Sequence, residues 1–345
     1  MKRALITGIA GQDGSYLAEY LLGKGYKVFG IIRSEFSAAY NLRNVMGRVN
    51  LLYGDLTDQL SLLAAVKKSE PDEIYNLAGQ PFVPNSWLSP YETMNVNSGG
   101  LARFLDIIER TDHRIKIYQA SSSEMFGNHR GQSNEDTPLL PTSPYGVSKL
   151  AAHHLCRVYR DKGLFAVGGI LFNHESPRRG PEMVTRKITQ HVASWMLGSD
   201  EPLRLGNIDV TRDWGFAGDY VEAMHLMLQQ DEPRDYVIGM GQTTSVREFL
   251  HRALEAANIP YESVAHLVSH DAHLVRDNEI YSLCADASRA KKELGWRPET
   301  SFAQLVKMMV DEDYAALSKS VDGSKPLVET KITEMETPVP VREAV

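Results

Sequence analysis

Short apolar runs alternate with stretches of helical periodicity along the first half of the chain. Each apolar run is short, and residues typical of turns separate it from the next helical stretch, so each predicts a buried strand. These strands are predicted at residues 4–7, 27–32, 51–53, 73–77, 114–117 and 165–172. Strands that alternate with helices in this way predict an α/β fold with a Rossmann-like, doubly wound parallel sheet.

The pattern changes after the sixth predicted strand. Residues 173–180 form a polar, turn-rich run, and further arginine and lysine residues follow at 185–187 and 211–214. Helical periodicity then predicts helices at 184–196, 218–229, 246–257 and 302–317. We expect a smaller, mixed α/β lobe that binds an anionic ligand, although arginine is also an ordinary surface residue.

Composition narrows the class of protein. The chain has 345 residues, a net charge of −7 and a pI near 5.9, which argues against binding of a nucleic-acid backbone. Its two cysteines, Cys156 and Cys284, provide neither a disulfide framework nor a metal-ligand cluster, so we expect no metal. No apolar run has the length of a signal peptide or a membrane span, so we expect a cytoplasmic protein without a membrane partner.

A glycine-rich turn follows the first predicted strand, and helical periodicity begins directly after it. Strand, glycine turn and helix is the order of a dinucleotide-binding unit, in which the pyrophosphate lies on the helix N-terminus. The spacing is G-x-x-G-x-x-G. The turn reads Gly8-Ile9-Ala10-Gly11-Gln12-Asp13-Gly14.

The end of the second predicted strand bears on the choice of cofactor. A site selective for NAD usually carries Asp or Glu there, whereas this chain has Arg33. A guanidinium matches a 2′-phosphate, so the sequence favours NADP over NAD, with nearby Glu35 as an argument against. Asp55 either accepts a hydrogen bond from adenine or caps the next helix. The further cofactor contacts are predicted after the third and fourth strands, at Asp55, Leu56, Leu77, Ala78, Gly79 and Gln80.

The candidate chemistry lies between residues 118 and 149. Pro144 suits the first turn of a helix, which would place Tyr145 and Lys149 side by side, four positions apart. An ammonium beside a phenol lowers the pKa of the phenol and favours a base. Upstream, a run of three serines and Glu124 follows a predicted strand, where open α/β sheets bind their ligands. Chance spacing of Tyr and Lys, and ordinary turn chemistry of serine, are the alternatives.

Taken in order, these motifs resemble the extended short-chain dehydrogenase/reductases, and within them the GDP-mannose 4,6-dehydratase family, over about residues 3–315. The most specific matches are the turn 8–15, Tyr-Gln-Ala-Ser at 118–121, Leu-Phe-Asn-His-Glu-Ser-Pro-Arg-Arg-Gly at 171–180, Val-Thr-Arg-Lys at 184–187, and the segments 205–207 and 212–215.

The resemblance implies an internal redox cycle on a nucleotide sugar. Tyr145 takes the proton of the sugar 4-hydroxyl while NADP accepts the C4 hydride, and Ser122 bonds to the 4-oxygen. Glu124 removes the C5 proton, the 6-hydroxyl leaves as water, and the hydride returns to C6. Lys149 holds the nicotinamide ribose and lowers the Tyr145 pKa.

The resemblance also implies binding residues in the second half of the chain. His174 and Arg179 match positions that contact the cofactor. The GDP-sugar is expected at Asn173, Val184, Lys187, Leu205, Gly206, Arg212, Arg276 and Glu279.

On this basis we expect residues 1–172 to form an NADP-binding Rossmann domain to which 214–240 return. Residues 173–213 and 241–318 would form the nucleotide-sugar lobe, and 319–345 a loosely attached tail.

Several positions depart from the family pattern. Ser34 replaces a second arginine, Gln-Pro-Phe-Val at 80–83 replaces Gln-Ser-His-Val or Gln-Ser-Phe-Val, and Tyr281 replaces an aspartate. GDP-manno-heptose therefore remains an alternative substrate. A 4-epimerase or 4-keto reductase, which needs no carboxylate aimed at C5, is the competing enzyme class. A non-enzymatic NADP-binding regulator is the third interpretation.

The composition of residues 34–44 indicates that the protein assembles into a homo-oligomer. They carry Phe36, Tyr40 and Leu42 in a loop-like context, which is costly unless something covers these side chains. Either their own lobe covers them or, as in the family, the loop reaches a neighbouring subunit's cofactor region through Arg43 or its neighbours. We expect a homo-oligomer, a tetramer more than a dimer.

Overall fold

The computed structural model describes residues 1–34, 40–275 and 278–321. These residues form the strands β1 (Arg3–Thr7), β2 (Lys27–Ile32), β3 (Asn50–Tyr53), β4 (Glu73–Asn76), β5 (Lys116–Ser122), β6 (Gln132–Ser133), β7 (Ala166–Leu171), β8 (His174–Glu175), β9 (Leu203–Leu205), β10 (Thr211–Arg212), β11 (Gly215–Phe216), β12 (Tyr236–Ile238), β13 (Thr244–Ser245), β14 (Val268–His270) and β15 (Ser282–Ala285).

The helices lie between these strands. They are α1 (Gln12–Gly23), α2 (Gln59–Ser69), α3 (Val83–Leu88), α4 (Pro90–Thr111), α5 (Pro144–Arg160), α6 (Val184–Met196), α7 (Ala217–Leu228), α8 (Val246–Ala256), α9 (Tyr261–Val264) and α10 (Phe302–Val321). Among the described residues, no helix is long and apolar enough to cross a membrane.

Seven parallel strands form the central sheet in the order β12-β7-β5-β4-β1-β2-β3. The chain starts in the middle, winds to β3 at one edge and then to β12 at the other, which is the predicted doubly wound arrangement. Both faces are buried: Ala4 and Ile6 pack into one core with α1 and α7, whereas Leu5 packs into a second core with α2, α4 and α5. Burial on both faces explains why these strands read as continuous apolar runs.

A mixed α/β lobe lies towards the C-terminus. It contains a four-stranded sheet in the order β13-β10-β15-β6 and two two-stranded sheets, β11-β8 and β14-β9. Helices α6, α8 and α10 enclose a separate core that includes Ile188, Phe249 and Leu305.

The predicted division of the chain at residue 172 stays a prediction, and packing crosses it. Strand β6 precedes residue 172 but pairs with β15, whereas β12, within the segment 214–240 that was expected to return, joins the central sheet beside β7. Trp296, from the segment assigned to the second lobe, is buried in the core with α1 and α7.

Two predicted elements differ from the structure by more than one residue at a boundary. Strand β5 runs from 116 to 122 instead of 114 to 117, so Ser121 and Ser122 are its last residues and do not follow it. They pair with Ile170 and Leu171 of β7, and ladder bonds in a central strand outweigh the weak strand preference of serine. Helix α10 continues to Val321, beyond the predicted end at 317 and into the segment assigned to the tail. The rest of that tail lies outside the described residues.

Candidate active site

The glycine turn forms a close-fitting cradle at the carboxyl end of β1. Gly8 has a φ of 66°, a conformation that favours glycine. A Cβ on Gly14 would lie 2.2 Å from the Gly8 carbonyl oxygen, and a Cβ on Gly8 would lie 3.0 Å from the backbone of Ala78. Gly11 caps α1 without a side chain, so the first N–H groups of the helix remain accessible to a phosphate. The cradle therefore fits the pyrophosphate of a dinucleotide.

The side chains of Gln12 and Asp13 fasten this turn to the segment that begins with β8. Gln12 donates from Nε2 to the His174 carbonyl at 3.0 Å and accepts from Ser176 Oγ at 2.8 Å. Asp13 Oδ2 lies 2.9 Å from His174 Nε2. Both residues were predicted to bind the cofactor, which stays a prediction; their side chains hold the 174–176 segment.

His174 is held on three sides. Its Nδ1 lies 2.8 Å from the Phe172 carbonyl oxygen, and its ring stacks on Tyr220 with the centroids 4.8 Å apart. Burial lowers the pKa of His174, but the Asp13 carboxylate outweighs it and the pKa is raised. Burial likewise raises the pKa of Asp13, yet His174 leaves it lowered. Both ring nitrogens of His174 thus face acceptor oxygens, an arrangement that the protonated imidazole satisfies with two N–H donors.

The predicted contacts with the adenosine half line the ends of β2 and β3. Arg33 is exposed, and its charge contributes to lowering the pKa of Asp55, after the larger effect of the Thr57 N–H. Asp55 accepts from both the backbone and the hydroxyl of Thr57, at 2.8 and 2.7 Å. The helix cap is Asp58, which accepts from the Leu60 N–H, so of the two alternatives for Asp55 capping is wrong.

The segment after β4 passes directly beside the cradle. Leu77 and Ala78 donate their N–H groups to Thr7 Oγ1, both at 3.0 Å. A Cβ on Gly79 would lie 2.8 Å from Asn97 Oδ1, so only glycine fits there. Leu56, by contrast, is a core residue, and its carbonyl accepts from Arg103 at 3.0 Å.

The four predicted catalytic residues meet where β5 ends and α5 begins. Ser122 Oγ accepts from the Glu124 N–H at 3.2 Å, and both Ser122 and Glu124 influence the pKa of Tyr145. Ser143 caps α5 by accepting from the Gly146 N–H at 3.0 Å, which starts the helix at Pro144 as predicted. Lys149 Nζ lies 5.7 Å from the centre of the Tyr145 ring and donates to the Ala120 carbonyl at 2.9 Å.

The pKa values of this group differ from the expectation. Burial raises the pKa of Tyr145 to about 12; the Ser122 hydrogen bond opposes this, and the charge of Glu124 adds to it. Burial also lowers the pKa of Lys149 to about 8. The expected lowering of the Tyr145 pKa is absent because desolvation of the phenolate outweighs the effects of Ser122 and of the Arg179 charge.

Sequence reasoning missed Asn97, a buried residue of α4. Its Nδ2 donates to Ser148 Oγ at 2.9 Å, and Ser148 donates to the Tyr145 carbonyl at 2.7 Å. Its Oδ1 accepts from the Gln80 N–H at 2.9 Å. Asn97 thus links α5 to the segment after β4. The available signal was an asparagine one turn before Leu101 on the buried face of an amphipathic helix.

The residues predicted to hold the GDP-sugar line the second lobe. Arg212 and Glu279 form an ion pair at 3.5 Å, and Asn173 accepts from the Gly215 N–H at 2.9 Å. Lys187 Nζ donates to the Arg204 carbonyl at 2.6 Å, so its ammonium engages the protein.

A Cβ on Gly206 would lie 2.7 Å from the Leu274 carbonyl oxygen, whereas Leu205 is a buried core residue. Val184 begins α6 and is 39% exposed, and Arg276 lies outside the described residues.

The segment predicted to reach a neighbouring subunit contacts its own chain. Leu42 is fully buried in the core with α1 and α7, so its own lobe covers it. Tyr40 is 48% exposed and lies under the Arg43 guanidinium, which pairs with Glu312 of α10 at 2.7 Å. Phe36 lies outside the described residues.

The chain is similar to known proteins over most of its length. A sequence model described as GDP-mannose 4,6 dehydratase matches residues 5–309. GDP-mannose 4,6 dehydratase 2 of Arabidopsis thaliana is 46% identical over 328 residues, covering 90% of this chain and 87% of the relative. The Homo sapiens GDP-mannose 4,6 dehydratase is 43% identical over 340 residues, covering 90% and 91%.

Solved structures with this fold include the Thermus thermophilus UDP-glucose 4-epimerase in complex with NAD. It is 27% identical, has a TM-score of 0.80, and the match covers 91% of this chain and 99% of that one.

Proposed function

The chain belongs to the GDP-mannose 4,6-dehydratase family, and on that premise we propose that it removes water across C5 and C6 of GDP-mannose with NADP as its resident cofactor. It is a nucleotide-sugar dehydratase, a hydro-lyase, that works with a nicotinamide dinucleotide. The product is the GDP-4-keto-6-deoxy sugar, and the cofactor is regenerated within each turnover.

One observation supports this reaction over epimerisation or simple reduction. Glu124 lies in the same group as Ser122, Tyr145 and Lys149, close enough for its charge to act on the Tyr145 hydroxyl. A 4-epimerase needs an acid–base residue at the 4-oxygen but no carboxylate at C5. A carboxylate beside that acid–base residue is what dehydration requires.

The cofactor, when bound, would accept a hydride from C4 and return it at C6, and its nicotinamide ring is positively charged while oxidised. Gly8, Gly11 and Gly14 would hold its pyrophosphate on α1, and Gly79 leaves room beside Lys149, whose Nζ is 3.7 Å from the position of a Cβ there. The residues present therefore fit a dinucleotide.

In this proposal Tyr145 and Ser122 both act at the 4-oxygen of the sugar. Tyr145 takes the proton of the 4-hydroxyl, and Ser122, which lies close enough to influence the Tyr145 pKa, orients the same sugar oxygen. Once the 4-keto group has made the C5 proton acidic, Glu124 removes it, and the 6-hydroxyl leaves as water. A Tyr145 pKa of about 12 must fall to near 7 for the first step, which requires about 7 kcal/mol of phenolate stabilisation. The Lys149 ammonium supplies part of it.

Mass spectrometry tests the reaction directly. The protein is incubated separately with GDP-mannose and with GDP-manno-heptose, and the products are examined for loss of one water. We expect the loss with GDP-mannose. An isomer of unchanged mass would indicate an epimerase. Loss of water from GDP-manno-heptose alone would identify GDP-manno-heptose, and not GDP-mannose, as the substrate.

The preference for NADP is a separate proposal that rests on Arg33. Its exposed guanidinium, close enough to act on Asp55, suits a 2′-phosphate. We predict that NADP⁺ binds more tightly than NAD⁺ and that Arg33→Ala narrows the gap by about 1–3 kcal/mol, the scale of a charge-assisted hydrogen bond. Calorimetry on both proteins measures this, and equal affinities in the unmodified protein would refute it.

A further inference from the structure

Arg186, the third residue of α6, is buried and makes an ion pair with Asp313 of α10. Its Nε lies 2.8 and 3.0 Å from the two carboxylate oxygens of Asp313, and its Nη2 lies 2.6 Å from Oδ1. Thr189 donates to the same carboxylate at 2.7 Å. One edge of the guanidinium and the whole carboxylate are therefore satisfied within the helix pair.

The remaining guanidinium nitrogen of Arg186 reaches the loop between β8 and α6. Its Nη1 donates to the Pro177 carbonyl and, at 2.9 Å, to the Arg179 carbonyl. The neighbouring Thr185 donates to Glu175 Oε2 at 2.7 Å, and the same oxygen lies 3.1 Å from Arg179 Nε. Residues 185 and 186 thus hold both the backbone and the side chain of Arg179.

This arrangement requires arginine. A planar guanidinium presents five N–H donors in a fixed fork, so it binds a carboxylate along one edge and two carbonyls with its other nitrogen. An ammonium is a point charge on a flexible stem and cannot serve the carboxylate and both carbonyls at once. Lysine at this position would keep the charge opposite Asp313 but release the loop.

Arg179 pairs with Glu175, the residue directly after His174, and its charge influences the pKa values of Tyr145, Asp13 and His174. We propose that Arg186 is a positioning residue that fixes the 177–179 backbone through α6 and α10, so that the Arg179 guanidinium is presented to the anionic cofactor. This rests on the proposed contact between Arg179 and NADP. Through this contact α10 would contribute to cofactor binding.

A double-mutant cycle tests the proposal, with NADP⁺ affinity measured by calorimetry on the full chain. Arg179→Ala should weaken binding, and Arg186→Lys alone should weaken it by about tenfold, the scale of one charge-assisted hydrogen bond. If Arg186 acts through Arg179, adding Arg186→Lys to Arg179→Ala should produce little further loss. Independent, additive losses would overturn the proposal, as would unchanged affinity in Arg186→Lys.

Two further variants separate positioning from folding. Arg252→Lys, in an exposed pair with Glu248 and Glu255, is the matched control and should leave affinity unchanged. If Arg186→Lys does not fold, Asp313→Asn replaces it in the same cycle, because it loosens the guanidinium without removing it. Unchanged NADP⁺ affinity in Arg179→Ala would refute the Arg179 contact, and the positioning role with it. That result would leave the proposed dehydratase function standing, because that function is tested separately by loss of water from GDP-mannose in the unmodified protein.

Discussion

Tyr145 and Glu124 divide the proposed proton transfers between them. We expect Tyr145→Phe to abolish the first oxidation and lower kcat by about 10²–10⁴-fold, because no other group takes the 4-hydroxyl proton. Glu124→Gln should still oxidise C4, visible as absorbance of the reduced nicotinamide, but form little dehydrated product by mass spectrometry. Full dehydratase activity in Glu124→Gln would remove Glu124 from the mechanism.

Lys149 carries a desolvation cost that a neutral side chain avoids. Its pKa falls from 10.5 to about 8 on folding, so the unfolded chain binds more protons between these values, and stability rises with pH across this window. Below pH 8 the cost is fully present, and it amounts to about 3 kcal/mol.

We therefore predict that Lys149→Met stabilises the cofactor-free protein at pH 7 and that this advantage shrinks from pH 8 to 10. Urea unfolding of both proteins at each pH measures the difference, in which the contributions of all other groups cancel. A difference that stayed constant with pH would contradict the Lys149 assignment.

At the scale of elements, the N-terminus of α5 combines a structural and a catalytic task. Ser143 caps the helix and the next two residues are Pro144 and Tyr145, so the cap sets where the phenol lies. Ser143→Ala should lower the free energy of unfolding by about 0.5–2 kcal/mol. We expect kcat to fall as well, because the first turn frays.

Ser143→Thr is the control for this prediction, since it keeps a hydroxyl that can accept from the Gly146 N–H. It should restore most of the stability and the activity, as measured by denaturant unfolding and by turnover of GDP-mannose. Loss of activity equal to that of Ser143→Ala would mean that the cap does not govern Tyr145.

For the whole molecule, assembly remains a prediction, and we favour a tetramer. Tyr40 exposes 48% of its surface and lies beside Arg43. We expect light scattering at micromolar concentration to find an oligomer. Replacing Phe36 and Tyr40 together with Ser should lower the oligomer order and weaken NADP⁺ binding at once. Leu60→Ser, an exposed apolar residue of α2, is the control, and a monomeric unmodified protein would end the proposal.

Patterns among residues close together in the sequence were enough to predict the features of this protein that depend on neighbours along the chain. The order of strands and helices follows from periodicity, because a buried strand and an amphipathic helix each repeat a local pattern. The Tyr145–Lys149 pair follows from one turn of one helix, and the cradle from glycines within one turn. For the same reason α6 was predicted to the residue.

Contacts between residues that are far apart in the sequence became known only from the folded structure. Arg186 and Asp313 are 127 positions apart, and no periodicity relates them. The contacts of Asn97 with α5 and those of the Gln12 and Asp13 side chains with residues 174–176 likewise join segments that are far apart in the sequence. The pKa values of Tyr145 and Lys149 also required the fold, because desolvation depends on everything packed around a group and not on its neighbours in sequence.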